Sequence, residues 1–434
     1  MKIAVIGTGY VGLVSAVCFA KLGHEVIGVD KDSSKINALQ QNIIPIFEPG
    51  LKELLIEVKT AGKISFTTDL KTALNGANAV FIAVGTPQDE DGSADLTYVM
   101  AAAREISQVS SDYKVIVTKS TVPVGTGSKL EEVIKKANPQ FEFSVASNPE
   151  FLREGSAVED FMSPDRIVIG TKDDRAKKVL SEIYQKFEAK KIVHADITTA
   201  ELIKYASNSF LATKISFINE MADLCEKTGG DIKQLASAIG LDSRIGSKFL
   251  NPGPGFGGSC FPKDIMAIIN VAKEHDVELF LIRSVIASNL LRKEKMVQKI
   301  TNALGGNIAG KTIALLGLAF KANTDDIRYS PAITIARALA KTAKVRATDP
   351  EAIANSRKEL SDCSNVEFFD DAYEAMNGAD LIVIATEWKD YFQLDFDKIK
   401  QITSARIIVD LRNIFDAAAV AQAGFRYVYI GGKS

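Results

Sequence analysis

One short pattern opens the chain and returns in its last third. Lys2-Ile-Ala-Val-Ile-Gly7 reads as an apolar strand running into a glycine, and Lys311-Thr-Ile-Ala-Leu-Leu-Gly317 reads the same way. Each is followed by a strand that ends in aspartate, Glu25-Val-Ile-Gly-Val-Asp30 and Lys344-Val-Arg-Ala-Thr-Asp349. Asn75-Gly-Ala-Asn-Ala-Val-Phe-Ile-Ala-Val84 is then paralleled by Asn377-Gly-Ala-Asp-Leu-Ile-Val-Ile-Ala-Thr386, and Lys114–Thr118 by Arg406-Ile-Ile-Val-Asp410. Strands alternating with helical stretches predict parallel sheets covered on both faces. The expected fold is therefore α/β, with two Rossmann-like doubly wound parallel-sheet domains related as an internal repeat. Between them the strand signal stops. A long apolar helical stretch covers roughly Thr198 to Gly229, with further helices over Asp231–Ile239 and Asp264–Asn302. The expected division is 1–196, a helical connector over 197–300, and 301–434. The long central helix is a candidate dimer surface.

Composition narrows the class of partner. The 434 residues carry 52 Lys and Arg against 54 Asp and Glu, a formal net charge of −2, so no basic bias predicts nucleic acid or an anionic membrane. No apolar run reaches the length of a membrane span, and the opening residues lack the pattern of a signal peptide. Cys18, Cys225, Cys260 and Cys363 are widely scattered, with neither zinc spacing nor a disulfide framework, so no metal site is expected. The expected setting is a reducing cytoplasm.

Gly7-Thr-Gly-Tyr-Val-Gly12 follows a strand and opens a helix. Gly7, Gly9 and Gly12 permit a tight turn and a close approach of backbone to a pyrophosphate, with Tyr10 and Val11 in the same turn. Asp30 ends the next strand, where a carboxylate accepts ribose hydroxyls and repels a 2′-phosphate, so NAD is favoured over NADP. Lys31 and Lys35 nearby weaken that preference. Gly85-Thr86-Pro87 ends another strand where a cofactor edge would pass, and a plain turn explains it nearly as well.

Asn251-Pro-Gly-Pro-Gly-Phe-Gly-Gly-Ser-Cys-Phe-Pro-Lys-Asp264 presents one thiol after a crowd of glycines and prolines. A dinucleotide site and a presented thiol together suggest an oxidation through an enzyme-bound thioester: an aldehyde has no hydride to give until a nucleophile adds to it. Cys260 also fits a small buried hydrophobe, the reading that suits Cys18 and Cys225. The expected helix start just after it and the nearby Lys263 favour a thiolate. Asp264, one turn on, either orients a water or serves only the helix dipole. Lys204 and Asn208 form an i, i+4 pair on the long helix, readable as oxyanion donors or as a structural polar contact. Glu150 and Glu154, in Ser147-Asn-Pro-Glu-Phe-Leu-Arg-Glu-Gly155, are acid–base candidates or simply solvated. Lys119-Ser-Thr121 ends a strand with hydroxyls that could reach a water.

These segments together resemble the UDP-glucose/GDP-mannose dehydrogenase family over nearly the whole chain. The resemblance rests on Gly7–Gly12, Lys119-Ser-Thr-Val-Pro123, Asn148-Pro-Glu-Phe-Leu152, Glu201–Asn208, Gly255–Asp264 and Gly317-Leu-Ala-Phe-Lys321. It implies oxidation of a nucleotide sugar's primary alcohol to a carboxylate with two NAD⁺ per turnover. Cys260 would be the nucleophile, Lys204 and Asn208 the oxyanion donors, Asp264 and Thr121 the holders of a catalytic water, and Glu150 an acid–base group. Phe151, Leu152 and Glu154 would line the sugar and nicotinamide region. Phe249, Leu250 and Gly257 match substrate-loop positions. Arg244 matches an arginine that reaches the neighbouring subunit's sugar. Lys321 and Arg412 match cations near the UDP or sugar, and Arg328 an arginine near the cofactor, with Lys35, Thr86 and Lys263 expected beside it. Phe256–Asp264 is most similar to the UDP-glucose branch, so UDP-glucose is the expected substrate. A sister enzyme for GDP-mannose or a UDP-N-acetylhexosamine is the nearest rival. A 3-hydroxyacid dehydrogenase and a non-enzymatic NAD sensor are more distant ones. Gly317-Leu-Ala-Phe-Lys-Ala keeps only the first fingerprint glycine, which predicts UDP, rather than a second NAD, in the second half.

Overall fold

The computed structural model describes residues 1–89 and 92–432. The chain separates into two compact units, Met1–Ser207 with Met266–Val277, and Asn208–Ile265 with Glu278–Ser434.

The first unit is built on β1 (Lys2–Ile6), β2 (Glu25–Val29), β3 (Ile64–Thr67), β4 (Ala79–Ile82), β5 (Lys114–Thr118), β6 (Phe143–Ser147), β7 (Ile167–Gly170) and β8 (Ile192–Ala195). They lie in one sheet in the order β3-β2-β1-β4-β5-β6-β7-β8. The pairs are parallel except β6 with β7, where Ser147 faces Gly170 antiparallel, a departure from the all-parallel expectation. β4 and β5 are buried at every position, which is why they read as continuous apolar runs. Phe19, in the fingerprint helix Tyr10–Lys21, packs on Phe81 at 4.8 Å and edge-on to Phe161 at 5.2 Å. Sequence pattern missed β3, β7 and β8. β3 and β8 are four-residue edge strands with exposed positions; β7 is buried throughout but is also only four residues long.

The second unit holds β9 (Thr312–Leu316), β10 (Lys344–Thr348), β11 (Val366–Phe368), β12 (Leu381–Ile384), β13 (Ile407–Asp410) and β14 (Arg426–Tyr429), in the order β11-β10-β9-β12-β13-β14. This repeats the order of the first six strands of the first sheet, so the strand order reverses at β1/β4 and again at β9/β12. In such sheets ligands bind at that reversal, beyond the carboxyl ends of the strands. The repeat extends to backbone angles. Gly7 and Gly317 both sit at φ +97°, and a Cβ would lie 2.6 Å from the Ala83 carbonyl oxygen at one and 2.4 Å from Thr386 Cβ at the other. Only glycine fits either turn.

The long helix spans Ile197–Thr228, and no strand lies between it and β9 among the described residues. The helical stretch expected over Asp264–Asn302 is two helices, Phe261–Glu274 and Phe280–Ala303. Asp276 adopts a left-handed φ of +56° between them, a conformation that ends a helix.

Candidate active site

In the first unit the turn after β1 is shaped for a dinucleotide. A Cβ on Gly12 would lie 2.0 Å from the Gly7 carbonyl oxygen, so helix and turn can meet only through glycine. Gly9 has open space where its Cβ would be. The helix Tyr10–Lys21 has no side-chain cap and no acidic residue in its first turn, which leaves its N–H groups and dipole for an incoming anion. Asp30 accepts from the Thr8 N–H and hydroxyl, both at 2.9 Å, and from the Asp32 N–H at 3.0 Å. Burial works against its charge, but these bonds and the charge of Lys35 hold its pKa below the usual carboxylate range. It therefore stays anionic, as a ribose acceptor must. Lys31 turns away to Glu105 at 2.5 Å. These residues fit an NAD cofactor.

The loops after β4, β5 and β6 are tied together. Thr86 donates to the Thr121 carbonyl at 3.0 Å and Ser120 to the Val84 carbonyl at 2.6 Å. Glu150 is buried. It accepts from Lys204 Nζ at 2.8 Å through one oxygen and from the Leu152 N–H at 2.5 Å through the other. Burial opposes its charge, yet Lys204, the Leu152 N–H and Lys119 hold its pKa below the ordinary value. The solvated reading of Glu150 is thereby excluded. Phe151 lies beneath the Arg166 guanidinium at 3.6 Å. Lys119 is a site neighbour that sequence pattern did not single out. It donates to Asn148 Oδ1 at 3.0 Å, and burial brings its pKa down to about 8, Glu150 holding it up and Lys204 pressing it lower. A lysine directly after the apolar run Val115–Thr118 was the available signal.

In the second unit Cys260 immediately precedes the helix Phe261–Glu274. The Asp264 N–H donates to the Cys260 carbonyl at 2.8 Å, closing the first turn. The thiol is half-buried, with Ser259 Oγ 3.5 Å from its Sγ. Asn208 Nδ2 donates to Asp264 Oδ2 at 2.6 Å. The other carboxylate oxygen lies 2.9 Å from Lys263 Nζ, but the pair is not aligned as a hydrogen bond. Asp264 Oδ1 is therefore a buried acceptor whose close neighbour is the Lys263 ammonium.

The loop leading to Cys260 is pinned by asparagines that the sequence did not mark. Asn289 accepts from the Phe256 N–H at 2.8 Å and donates to its carbonyl at 3.0 Å, and Asn219 accepts from the Gly253 N–H at 2.8 Å. At Gly257 a Cβ would lie 2.6 Å from the Tyr329 carbonyl oxygen. Gly258 donates to the Arg328 carbonyl at 2.7 Å, while the Arg328 side chain is forked onto Asp326. Arg412 donates to the carbonyls of Ala385 at 2.9 Å and Phe320 at 2.7 Å, and its guanidinium abuts Gly253. Lys321 Nζ lies 5.4 Å from the Phe320 ring centroid. Arg244 is forked onto Asp242 with its side chain 87% exposed. Phe249 takes a left-handed φ of +66° beside the buried Leu250. Cys18 and Cys225 are buried thiols. Cys363 is a free thiol with Arg337 Nη1 at 3.6 Å and Asp362 Oδ1 at 3.7 Å.

Asp349, the repeat counterpart of Asp30, has a different fate. It accepts from the N–H groups of Leu318, Ala319, Glu351 and Ala352, at 2.7 to 3.0 Å, and from the Trp388 indole at 3.1 Å. It is 1% exposed, and its acceptor sites are consumed by the protein itself.

Known proteins place these features in one family. Residues 1–188 match the NAD binding domain of the UDP-glucose/GDP-mannose dehydrogenase family, 198–290 its central domain and 314–417 its UDP binding domain. The chain is 52% identical to the UDP-glucose 6-dehydrogenase of Rhizobium meliloti, with 99% of each chain covered. It is 45% identical to the UDP-glucose 6-dehydrogenase TuaD of Bacillus subtilis over 99% of this chain and 93% of that one. A UDP-glucose dehydrogenase structure from Pyrobaculum islandicum superposes with a TM-score of 0.91 at 40% identity, covering 99% of this chain and 97% of that one. On fold, site chemistry and full-length likeness alike, the chain belongs to the UDP-glucose/GDP-mannose dehydrogenase family.

Proposed function

We propose that this protein oxidises UDP-glucose to UDP-glucuronate in a four-electron reaction, using two NAD⁺ per turnover and a thioester on Cys260. The observation that carries this reading is the Cys260 thiol at the start of a helix, with a buried Asp264 one turn on that keeps an unfilled acceptor. NAD⁺, when bound, accepts one hydride in each oxidation. The primary alcohol loses a proton and a hydride to give an aldehyde. Cys260 adds to it as the thiolate, forming a thiohemiacetal, and loss of a second hydride leaves a thioester. Water then attacks, and Cys260 departs as the thiolate. Asn208 and Lys204, one turn apart on the long helix, are the oxyanion donors. Asp264 and Thr121 hold the attacking water. Glu150, anionic beside Lys204, is the acid–base group of thioester hydrolysis.

Phe151, Leu152 and Glu154 line the sugar, and Phe249, Leu250 and Gly257 belong to the substrate loop. Lys321 and Arg412 serve the UDP, and Arg244 reaches the sugar of a neighbouring subunit. Val11, Thr86, Lys263 and Arg328 serve the cofactor. The functional division follows 1–196, 197–300 and 301–434, supported by the three family domains. Assembly is a homodimer through the long helix. Its support is an exposed stripe at heptad spacing, Phe210 at 66%, Phe217 at 47% and Leu224 at 53%. Four free cysteines with no disulfide among the described residues suit a reducing compartment, which supports the cytoplasm. UDP-glucose is preferred over the N-acetylhexosamine nucleotides because likeness to a UDP-D-ManNAc dehydrogenase structure falls to 30% identity.

The test is NADH formed per UDP-glucose consumed with excess NAD⁺. Two establish the reaction; one removes Cys260 from the mechanism. Near-normal turnover by Cys260→Ser would refute the nucleophile.

A further inference from the structure

We propose that Glu48 is a positioning residue for the cofactor, its carboxylate fixing the turn at Gly155 to the start of the glycine-fingerprint helix. Glu48 lies just ahead of the helix Leu51–Thr60 and is 4% exposed. Three donors from two distant segments converge on it. The Gly155 N–H reaches Oε2 at 2.6 Å, the Ala157 N–H reaches Oε1 at 2.7 Å, and the Tyr10 hydroxyl donates to Oε2. The Gly155 N–H also lies 3.1 Å from the Tyr10 hydroxyl oxygen, which closes the triangle.

Each corner of that triangle has a function of its own. Tyr10 is the first residue of the helix whose N-terminus faces the dinucleotide phosphates. Gly155 ends the loop that carries Glu150 and Glu154, and its φ of +78° aims its N–H at the carboxylate. Burial, the Glu48 hydrogen bond and the nearby charges of Glu48 and Glu154 all raise the Tyr10 phenol, so it remains a donor throughout the working pH range. Glu154 is thus close to Tyr10, and the Glu48 anchor one residue further on sets where it stands. A buried carboxylate is tolerable only when its lone pairs are filled, and here the loop and the fingerprint helix fill them. The loop that lines the sugar and nicotinamide, on the reading given above, is in this way suspended from the peptide that cradles the pyrophosphate.

The test is Glu48→Gln in the full-length protein, with NAD⁺ and UDP-glucose affinities measured separately by titration calorimetry, alongside kcat and both KM values. Gln keeps the volume but sets an NH₂ against an N–H or O–H donor. NAD⁺ affinity should fall about tenfold, the loss expected for one hydrogen bond to a charged group. UDP-glucose affinity should fall less than NAD⁺ affinity, because the loop that lines the sugar keeps its Glu150–Lys204 tie. Tyr10→Phe should weaken NAD⁺ less, and the double variant should be no weaker than Glu48→Gln, since Tyr10 acts through Glu48. Unchanged NAD⁺ affinity in Glu48→Gln overturns the proposal. So does an equal loss of both ligands with a matching fall in Tm, the mark of a purely structural role. If Glu48→Gln does not fold, Tyr10→Phe decides, and a normal NAD⁺ affinity there is a refutation. NAD⁺ binding is read directly, so an error in the identity of the sugar nucleotide leaves this result untouched.

Discussion

Lys204→Met removes the nearest cation from Glu150 and keeps most of the side-chain volume. The pair is 2.8 Å apart, with the two side chains 4% and 3% exposed. Leaving one member of a buried pair uncompensated costs about 3–5 kcal/mol. Lys119 and the Leu152 N–H still support the carboxylate, so the lower end is expected, about 3 kcal/mol. The pH dependence is the sharper readout. In the native protein Glu150 is held below the ordinary carboxylate range despite its burial. Its contribution to stability is therefore present above the unfolded pKa and lost as pH falls through the lowered native value. Without Lys204, burial prevails and the carboxyl moves above its ordinary range. The sign reverses: the anion then costs stability as pH rises through the new value, by up to ~1.4 kcal/mol per pH unit. The deficit of the variant should be small at about pH 5 and largest at about pH 8. Urea unfolding by far-UV circular dichroism measures it, with hydrogen exchange over Asn148–Leu152 as the local probe. The single tryptophan, Trp388, belongs to the other unit, so its fluorescence separates the two contributions. A deficit under about 1 kcal/mol, or one independent of pH, would refute the reasoning.

Three further outcomes are expected. Gly12→Ala would put a methyl 2.0 Å from the Gly7 carbonyl oxygen, so NAD⁺ affinity should fall by more than about tenfold while UDP-glucose binding persists; equilibrium titration of each ligand checks it. Lys119→Met removes a cation that helps keep Glu150 ionised, so the acid limb of the kcat against pH profile should move to higher pH; an unmoved limb rejects the coupling. Phe217→Glu places a charge in the exposed stripe of the long helix and should give monomers by light scattering at micromolar concentration; an unaltered mass rules that stripe out as the dimer surface.

What the sequence revealed and what it concealed divide along physical lines. Lys2–Ile6, Ala79–Ile82 and Thr312–Leu316 were legible because central parallel strands are apolar at nearly every position. Ile64–Thr67 and Ile192–Ala195 were not, because these edge strands are short and partly exposed. At the site, chemistry that depends on spacing along one helix could be read directly, as with Lys204 and Asn208. Chemistry that depends on residues meeting across the sheet could not. Glu48 finds its donors at Tyr10 and Gly155, and Lys119 is tuned by Glu150 and Lys204, through contacts that no local pattern encodes.

Asp349 bears on any attempt at redesign. The two halves share strand order, a glycine at the same backbone angle and a strand-end aspartate, so inserting the two missing glycines would look like enough to give the second half a taste for dinucleotides. It would not be. The strand-end carboxylate that the proposed reading gives to a ribose in the first half is, in the second, a rivet under four backbone amides and an indole. Freeing it would strand those donors, and a graft would have to rebuild the Trp388 corner before it could win a cofactor. At the matching strand end, the first half offers a carboxylate bonded by one turn and the second a carboxylate already saturated by its own chain.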